Sequence, residues 1–366
     1  MSDTGVKFDS IEDAIEAIRR GEMVVVVDDD DRENEGDLIM AASKATPESV
    51  AFMIRHTSGI LCAPLFEDHA TKLHLDPMVA RNDAPMSTAF TVSIDYKQGL
   101  TTGISAEERA ATVQALTNSN VSASDFVRPG HIFPLVARQG GVLVRSGHTE
   151  AGVDLSVLAG LQPVSLLAEL VNDDGTVQRM PQLVEFAAKH NLKFIAIADL
   201  IAYRQTREQL VERTNQFEVK TRIGPATAFA YRTKFEDAEH LALVFGDIKS
   251  EPSVAVRIHR EKLIDDVFGP QTDHERNLLD ASLDKIQSLG AGVLIYLRTG
   301  FVGVPHENLA DQSKEEERRS QWLEVGVGAQ IIRDLGISRI RLIAGREVEY
   351  VGVSGFGLTL ESTEIL

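Results

Sequence analysis

Seven carboxylates crowd into Asp28–Asp37, directly behind the apolar run Met23–Val27. The run is strand-sized, so the chain places a dense negative charge at a strand's end. Like charges this close destabilise a fold unless water or a metal ion offsets them, and Arg32 inside the run can hold an anionic substrate group beside that metal. A solvated charged loop is the other reading of the same stretch. Register excludes an EF-hand calcium loop: with Gly36 at the sixth position, Ala42 falls where the bidentate glutamate should be.

The chain has 366 residues, beyond the size at which one hydrophobic core usually stops growing, and two domains are expected. A formal charge of -18 argues against nonspecific nucleic-acid or anionic-membrane binding, so any phosphate must be captured locally. The single cysteine, Cys62, excludes an intramolecular disulfide and a multi-thiolate zinc site, which fits a reducing cytoplasm. No secretory, lipidation or membrane-spanning signal is found, and a cytoplasmic protein is expected.

Helices and strands alternate through the first part of the chain. Ser10 caps a helix on which Ile11, Ala14, Ile15 and Ile18 recur at helical spacing, and Gly21 ends it. Thr46-Pro47-Glu48 opens a second helix, and Ser105 with Glu108 opens a third by a capping box. Strands are expected at Ala89–Ile94, Gly141–Val144, Val164–Val171 and Phe194–Ala198, with a turn at Asn172–Gly175 and a helix over Met180–His190. The alternation stops in a polar stretch between Tyr203 and Phe217, which places the domains at 1–206 and 207–366. The second part reads as β-rich segments, a helix at about Asp273–Leu289, a strand at Val293–Leu297 and a charged helix from about Ser313. The fold class is α+β, in mixed α/β layers, in both domains.

Three further segments carry chemistry. Arg145-Ser146-Gly147-His148-Thr149-Glu150 precedes a helical pattern, so its amides lie at a helix N-terminus, where anions bind. Arg145 offers a guanidinium fork, Gly147 permits close backbone approach, Thr149 adds a hydroxyl and His148 is a candidate metal ligand, although an ordinary capping turn with a surface histidine has the same sequence. Arg128-Pro129-Gly130-His131 reads as a stiff turn that fixes the direction of a proton-transferring histidine, or of a plain surface one. Glu169 lies in an apolar strand, either buried with a raised pKa or on the strand's exposed face.

Together Asp31–Asp37, His56–Gly59, Ser87–Val92, Thr101–Ser105, Arg128–His131 and Gly147–Ala151 resemble, in order, the 3,4-dihydroxy-2-butanone 4-phosphate synthases of riboflavin biosynthesis, over roughly residues 8 to 205. The resemblance implies conversion of D-ribulose 5-phosphate to L-3,4-dihydroxy-2-butanone 4-phosphate and formate with a divalent cation, usually magnesium. It implies Glu33 and His148 as metal ligands. Substrate would be held by Arg32, Glu33, Asp37, Glu169 and the loop Arg145, Ser146, Gly147, His148 and Thr149. His131 and Glu169 match positions regarded as essential to catalysis, and the family is similar in forming homodimers with the site at the subunit interface. Ala168 departs from a common cysteine, with little consequence expected, and Cys62 occupies a family-like position in the loop after Gly59. The physics agrees. Removing a proton beside the ribulose carbonyl makes an enediolate, which a cation on adjacent sugar oxygens stabilises. A histidine ligand makes manganese a plausible substitute for magnesium.

From about Phe217 the chain looks like a GTP cyclohydrolase II domain, through Val256–His259, Asp266–Gly269, Val293–Arg298 and Gly328–Ile332. In that family three cysteines bind zinc; the corresponding residues here are Lys262, Asp273 and Glu275, and Thr299–Gly303 lacks the family's arginine and glutamate. Losing three thiolates removes the soft ligands that favour zinc. The expectation is therefore a second domain without zinc that does not open the imidazole ring of GTP. The alternatives are a bifunctional enzyme using another metal set, and a noncatalytic sugar-phosphate-binding regulatory scaffold.

Overall fold

A computed structural model describes residues 7–29, 32–234, 238–269, 277–298, 326–345 and 357–366. The chain divides into two compact units, Met1–Tyr203 and Arg204–Leu366. Each unit is built on one seven-stranded sheet, giving the mixed α/β layers expected.

The first unit opens with α1 (Ile11–Arg20), whose start is fixed by Ser10 accepting the Asp13 amide at 3.1 Å and whose end is fixed by Gly21 at φ 88°. A cap of this kind contributes about 1 kcal/mol, and each buried isoleucine on the helix about 1.5–3 kcal/mol. The chain then forms β1 (Val24–Val27), β2 (Gly36–Ala41), α2 (Pro47–His56), β3 (Cys62–Phe66), α3 (Glu67–Lys72), β4 (Ile94–Tyr96) and α4 (Ala106–Ala115). It continues through β5 (Phe126–Ala137), α5 (His148–Leu158), β6 (Ser165–Glu169), α6 (Met180–His190), β7 (Lys193–Ala196) and α7 (Ile197–Arg207). The sheet order is β4-β5-β3-β6-β2-β1-β7. One face buries Val25, Leu38, Met40, Leu166 and Ala168 with Met53 of α2, Val113 of α4 and Leu183 of α6. The other buries Val24, Val26, Ile39, Cys62 and Leu167 with α1, Leu155 of α5 and Leu200 of α7.

Several local expectations change. Gly141–Val144 is not a strand. Gly140 and Gly141 take positive φ of 95° and 63°, Gly141–Leu143 make a 3-10 turn, and the Asp154 carboxylate accepts the Val142 amide at 2.8 Å. Four apolar residues alone do not distinguish a strand from such a turn. Ala89–Ile94 supplies only the isolated bridges Pro77↔Thr91 and Phe90↔Leu135 before β4 begins. Arg128–His131 lies within β5, as a bulge: Ile94 pairs with Ile132 and Asp95 with Val127, leaving the four residues between them unmatched. Gly130 is required there, because a Cβ would stand 2.0 Å from the Ile94 carbonyl carbon. Cys62 opens β3 and is buried, so it is not in a loop. Phe194–Ala198 is a strand only to Ala196.

The second unit contains β8 (Val211–Thr221), β9 (Gly224–Thr233), β10 (Glu239–Phe245), β11 (Val254–Arg260), α8 (Leu263–Phe268), α9 (Leu278–Leu289), β12 (Gly292–Leu297), a helix over Gly328–Asp334, β13 (Arg339–Ala344) and β14 (Thr359–Ile365). Its sheet order is β14-β13-β11-β12-β10-β9-β8. Leu283 and Ile286 of α9 pack on Ala226, Phe245, Ala255 and Leu294. Asp273, Glu275, Thr299–Gly303 and the helix expected from Ser313 lie outside the described residues. Among the described residues no helix is long and apolar enough to cross a membrane.

In the first unit, α2 and α6 bring His56 and His190 together with ring centres 5.2 Å apart, beside Phe52 and Phe186. Burial, then His190, Arg55 and Lys189, hold His56 below its ordinary 6.5 against the opposite pull of Asp173; burial and Lys189 lower His190. An imidazole with a depressed folded pKa contributes stability that is present above its unfolded value and lost as pH falls through the folded one. Stability is therefore expected to fall on acidification below about pH 6.5. Denaturant titrations of a His56→Gln, His190→Gln variant should show that slope flattened, and an unchanged slope would contradict the assignment.

Candidate active site

The acidic run leaves β1 and returns as β2, so its carboxylates gather at one end of the sheet. Asp28 organises the turn: its Oδ2 accepts the Glu33 amide at 3.1 Å and Arg32 Nη1 at 2.9 Å, while its Oδ1 accepts the Glu35 amide at 2.9 Å. Arg32 Nη1 also pairs with the Glu33 carboxylate. Asp30 and Asp31 lie outside the described residues.

Register aligns the remaining acids. Asp37 of β2 stands directly opposite Glu169 of β6, and opposed residues in an antiparallel pair point to the same face. Cys62 of β3 is matched to Leu167 on one side and Phe133 on the other. The β3–β6 register shifts beyond Cys62, where Thr57 bridges Leu170 and the Ser58 amide meets the Glu169 carbonyl, while His131 lies two residues before Phe133 on β5. Ala168 points to the opposite face and is fully buried in that core.

His148 enters from above the sheet as the first residue of α5, and its Nε2–H donates to the Val26 carbonyl at 3.1 Å. That bond keeps a proton on Nε2 and leaves Nδ1 facing Glu33 at 3.7 Å and Asp37 at 4.0 Å. Burial is the largest influence on all three groups. It pushes Asp37 up to about 8, helped by Glu169 and Glu33 and opposed by His148. It works against a charged His148, but Asp37 and Glu33 hold that imidazole up at about 9. It also raises Glu33, which His148 and Arg32 nonetheless bring down to about 2.

Asp28, Glu33 and His148 each offer a ligand atom within 4.8 Å of the others, and among the described residues the buried Asp37 Oδ1 has no hydrogen-bond partner. Both Asp28 oxygens are already engaged by amides and one Glu33 oxygen by Arg32, which leaves the other Glu33 oxygen and His148 Nδ1, once its proton is released, to face an ion. Carboxylates with one imidazole suit a hard divalent cation such as magnesium or manganese.

An anion cradle adjoins this cluster. Gly147 is the N-cap of α5, and a Cβ there would stand 2.5 Å from Arg145 Nη1 and 3.0 Å from Arg32 Nη2, so two guanidiniums converge over the helix N-terminus. Ser146 precedes the cap and Thr149 is buried in the first turn. Arg145 is aimed by Glu150, which accepts its Nη1 at 2.7 Å, and by the Met86 carbonyl and Thr88 hydroxyl at 3.2 and 3.3 Å.

Both remaining titratable groups are steadied by neighbours. Ser58 donates to Glu169 Oε2 at 2.6 Å, and the Ser58 amide donates to the Glu169 carbonyl at 2.8 Å. His131 donates its amide to Asp95 Oδ1 at 2.9 Å and its Nδ1–H to Oδ2 at 2.8 Å, leaving Nε2 available. Gly103 closes over the pair: a Cβ would stand 2.1 Å from the Asp95 carboxylate. Asp28 could be suspected from its position at the strand's end, whereas Asp95 and Glu150 carry no local sequence signal and are brought in by the fold.

Residues 12–203 match the sequence model of 3,4-dihydroxy-2-butanone 4-phosphate synthase. The chain belongs to the 3,4-dihydroxy-2-butanone 4-phosphate synthase family. It is 48% identical to the bifunctional riboflavin biosynthesis protein RIBA 1 of Arabidopsis thaliana, over 96% of this chain and 68% of that protein. The crystal structure of RibBX, a two-domain 3,4-dihydroxy-2-butanone 4-phosphate synthase from A. baumannii, matches with a TM-score of 0.83 at 39% identity, covering 98% of this chain and 99% of that one. A synthase solved in complex with two magnesium ions matches with a TM-score of 0.53 at 45% identity, over 55% of this chain and 98% of that one. The chain is thus a riboflavin-biosynthesis enzyme of a family that acts on ribulose 5-phosphate.

Residues 212–364 match the sequence model of GTP cyclohydrolase II. That match, with the bifunctional naming of the Arabidopsis relative, overturns the expectation of a second domain that does not hydrolyse GTP. The substitution that motivated it concerns zinc ligands, and a change of ligand type is not the same as loss of activity. The second unit does hold a built polar cluster. His259 Nε2–H donates to Asp266 at 2.9 Å, Tyr296 donates to the same carboxylate at 2.7 Å, and the Lys262 amide donates to it at 2.9 Å.

Asp95→Asn should lower kcat on ribulose 5-phosphate by about 100-fold or more, because the amide no longer selects the His131 tautomer. Divalent-cation affinity should stay unchanged, and steady-state kinetics showing an unaltered kcat would contradict this role for Asp95.

Proposed function

We propose that the first domain converts D-ribulose 5-phosphate to L-3,4-dihydroxy-2-butanone 4-phosphate and formate. The observation that carries this reading is the Asp37–Glu169 pair in register beneath a His148 whose Nδ1 faces Glu33 and Asp37. Glu33 and His148 hold a magnesium ion, for which manganese substitutes. When bound, the ion supplies Lewis acidity beside the developing negative charge of the substrate. Arg32 and Arg145, with Ser146, Gly147 and Thr149, bind the phosphate at the α5 N-terminus. Asp37 and Glu33 face the sugar hydroxyls. Glu169, held by Ser58, and His131, oriented by Asp95, exchange protons with the pentulose carbons and oxygens during enolisation, dehydration and the skeletal shift.

A homodimer completing the site is supported by exposed apolar side chains on the first domain, Ile60, Met78, Val79 and Ile104. Ile60 stands two residues after Ser58, the residue that holds Glu169. A reducing cytoplasm suits the lone buried thiol of Cys62, whose pKa burial raises well above its ordinary value.

For the second domain, the family match over 212–364 favours GTP cyclohydrolase II activity, making the chain bifunctional. Lys262, Asp273 and Glu275 then require a metal set other than three thiolates.

Incubating the full chain separately with ribulose 5-phosphate and with GTP, under magnesium, manganese or zinc, and identifying products by mass tests both readings. Formate and the four-carbon phosphate should appear from the pentulose with magnesium, and Glu33→Gln should reduce them by about 100-fold or more at moderate metal. Normal turnover by that variant would count against the metal site, and absence of ring-opened product from GTP with every metal would remove the bifunctional reading.

A further inference from the structure

The loop that presents Glu33 is held from two sides. On the inside, Asp28 takes the amides of Glu33 and Glu35. On the outside, Arg179 Nη1 donates to the Glu33 carbonyl at 2.9 Å and also to the Asn34 carbonyl. Asn34 has φ 55°, a left-handed conformation that costs a non-glycine residue about 1 kcal/mol and persists where surroundings impose it. Arg179 is itself anchored. Its amide donates to Gln182 Oε1 at 3.2 Å, and the preceding Gln178 is tied to the residues just after β6 through its amide to the Leu170 carbonyl and its side-chain amide to the Val171 carbonyl, both at 3.0 Å. One guanidinium therefore joins the backbone that carries Glu33 to the segment that follows Glu169.

We propose that Arg179 is a positioning residue that sets the cation affinity of the Glu33–His148 site by fixing the backbone of the Glu33 loop. This rests on the cation reading above. Two physical effects of Arg179 have opposite signs, which makes the proposal sharp. As a positive charge near the site it opposes cation binding, so removing charge alone would tighten binding. As a clamp on the two carbonyls it favours binding, so its removal loosens the ligand geometry and weakens it.

The test measures Mn2+ binding to the full chain by the electron paramagnetic resonance of free Mn2+, at fixed pH and ionic strength, for the unaltered protein, Arg179→Gln, Arg179→Met and Glu33→Gln. Arg179→Gln and Arg179→Met should each bind Mn2+ about tenfold more weakly with an unchanged thermal unfolding midpoint. Equal or tighter binding by both variants, while Glu33→Gln binds weakly, overturns the proposal alone. No loss of affinity in Glu33→Gln overturns the cation reading and the proposal with it. The methionine variant keeps the aliphatic stem and supplies the same readout should the glutamine variant fold poorly.

Discussion

The bond from His148 Nε2 to the Val26 carbonyl ties the first turn of α5 to the end of β1, just before the acidic loop. Without it the imidazole could rotate or exchange its proton between nitrogens, and Nδ1 would have no fixed direction. With it, Nδ1 looks into a space bordered by Glu33 and Asp37. The same helix N-terminus lies under the Arg32 and Arg145 guanidiniums, so His148 and both guanidiniums meet at one rigid element. That economy explains why the buried negative charge can be tolerated: Arg32, Arg145 and the helix terminus all bear on it from one side.

Sheet register supplies the second constraint. A shift of one residue between β2 and β6 would turn Asp37 or Glu169 into the opposite core, among Leu38, Ala168 and Met40. The register is held by apolar residues on both faces, which makes the relative position of these two carboxylates a consequence of core packing. His131 is placed by a different route, through a bulge that leaves no room for a Cβ at Gly130 beside Ile94. His131 and Glu169 are thus set on sheet positions, while Glu33, Arg145 and His148 sit on the loops and helix terminus above.

Much of this was legible in the sequence because its signals are local. Caps such as Ser10, Thr46 and Ser105 mark helices in the residues themselves, and the strand-then-charge pattern at Val27–Asp28 marks an end of a sheet. The acidic run, His148 and the 145–149 loop could be named from residue type and neighbourhood. Glu169 and His131 stood out locally with two readings each, and the family resemblance chose the catalytic one. What stayed hidden depends on distant pairing: β2 and β3 are short and bordered by charge or proline, Gly141–Val144 has strand composition but turns on two glycines, and Asp95 meets His131 only because β4 lies against β5. The second domain shows the opposite limit. Residue substitutions at three ligand positions spoke against GTP chemistry, while the domain's match to its family outweighs an inference drawn from ligand softness alone.

Crystals of the full chain soaked in Mn2+ and measured at the manganese absorption edge test the central claim most directly. One anomalous peak should lie within about 2.3 Å of both a Glu33 carboxylate oxygen and His148 Nδ1, with Nε2 still on the Val26 carbonyl. A peak elsewhere, or Glu33 and His148 too far apart to share one ion, would contradict the account.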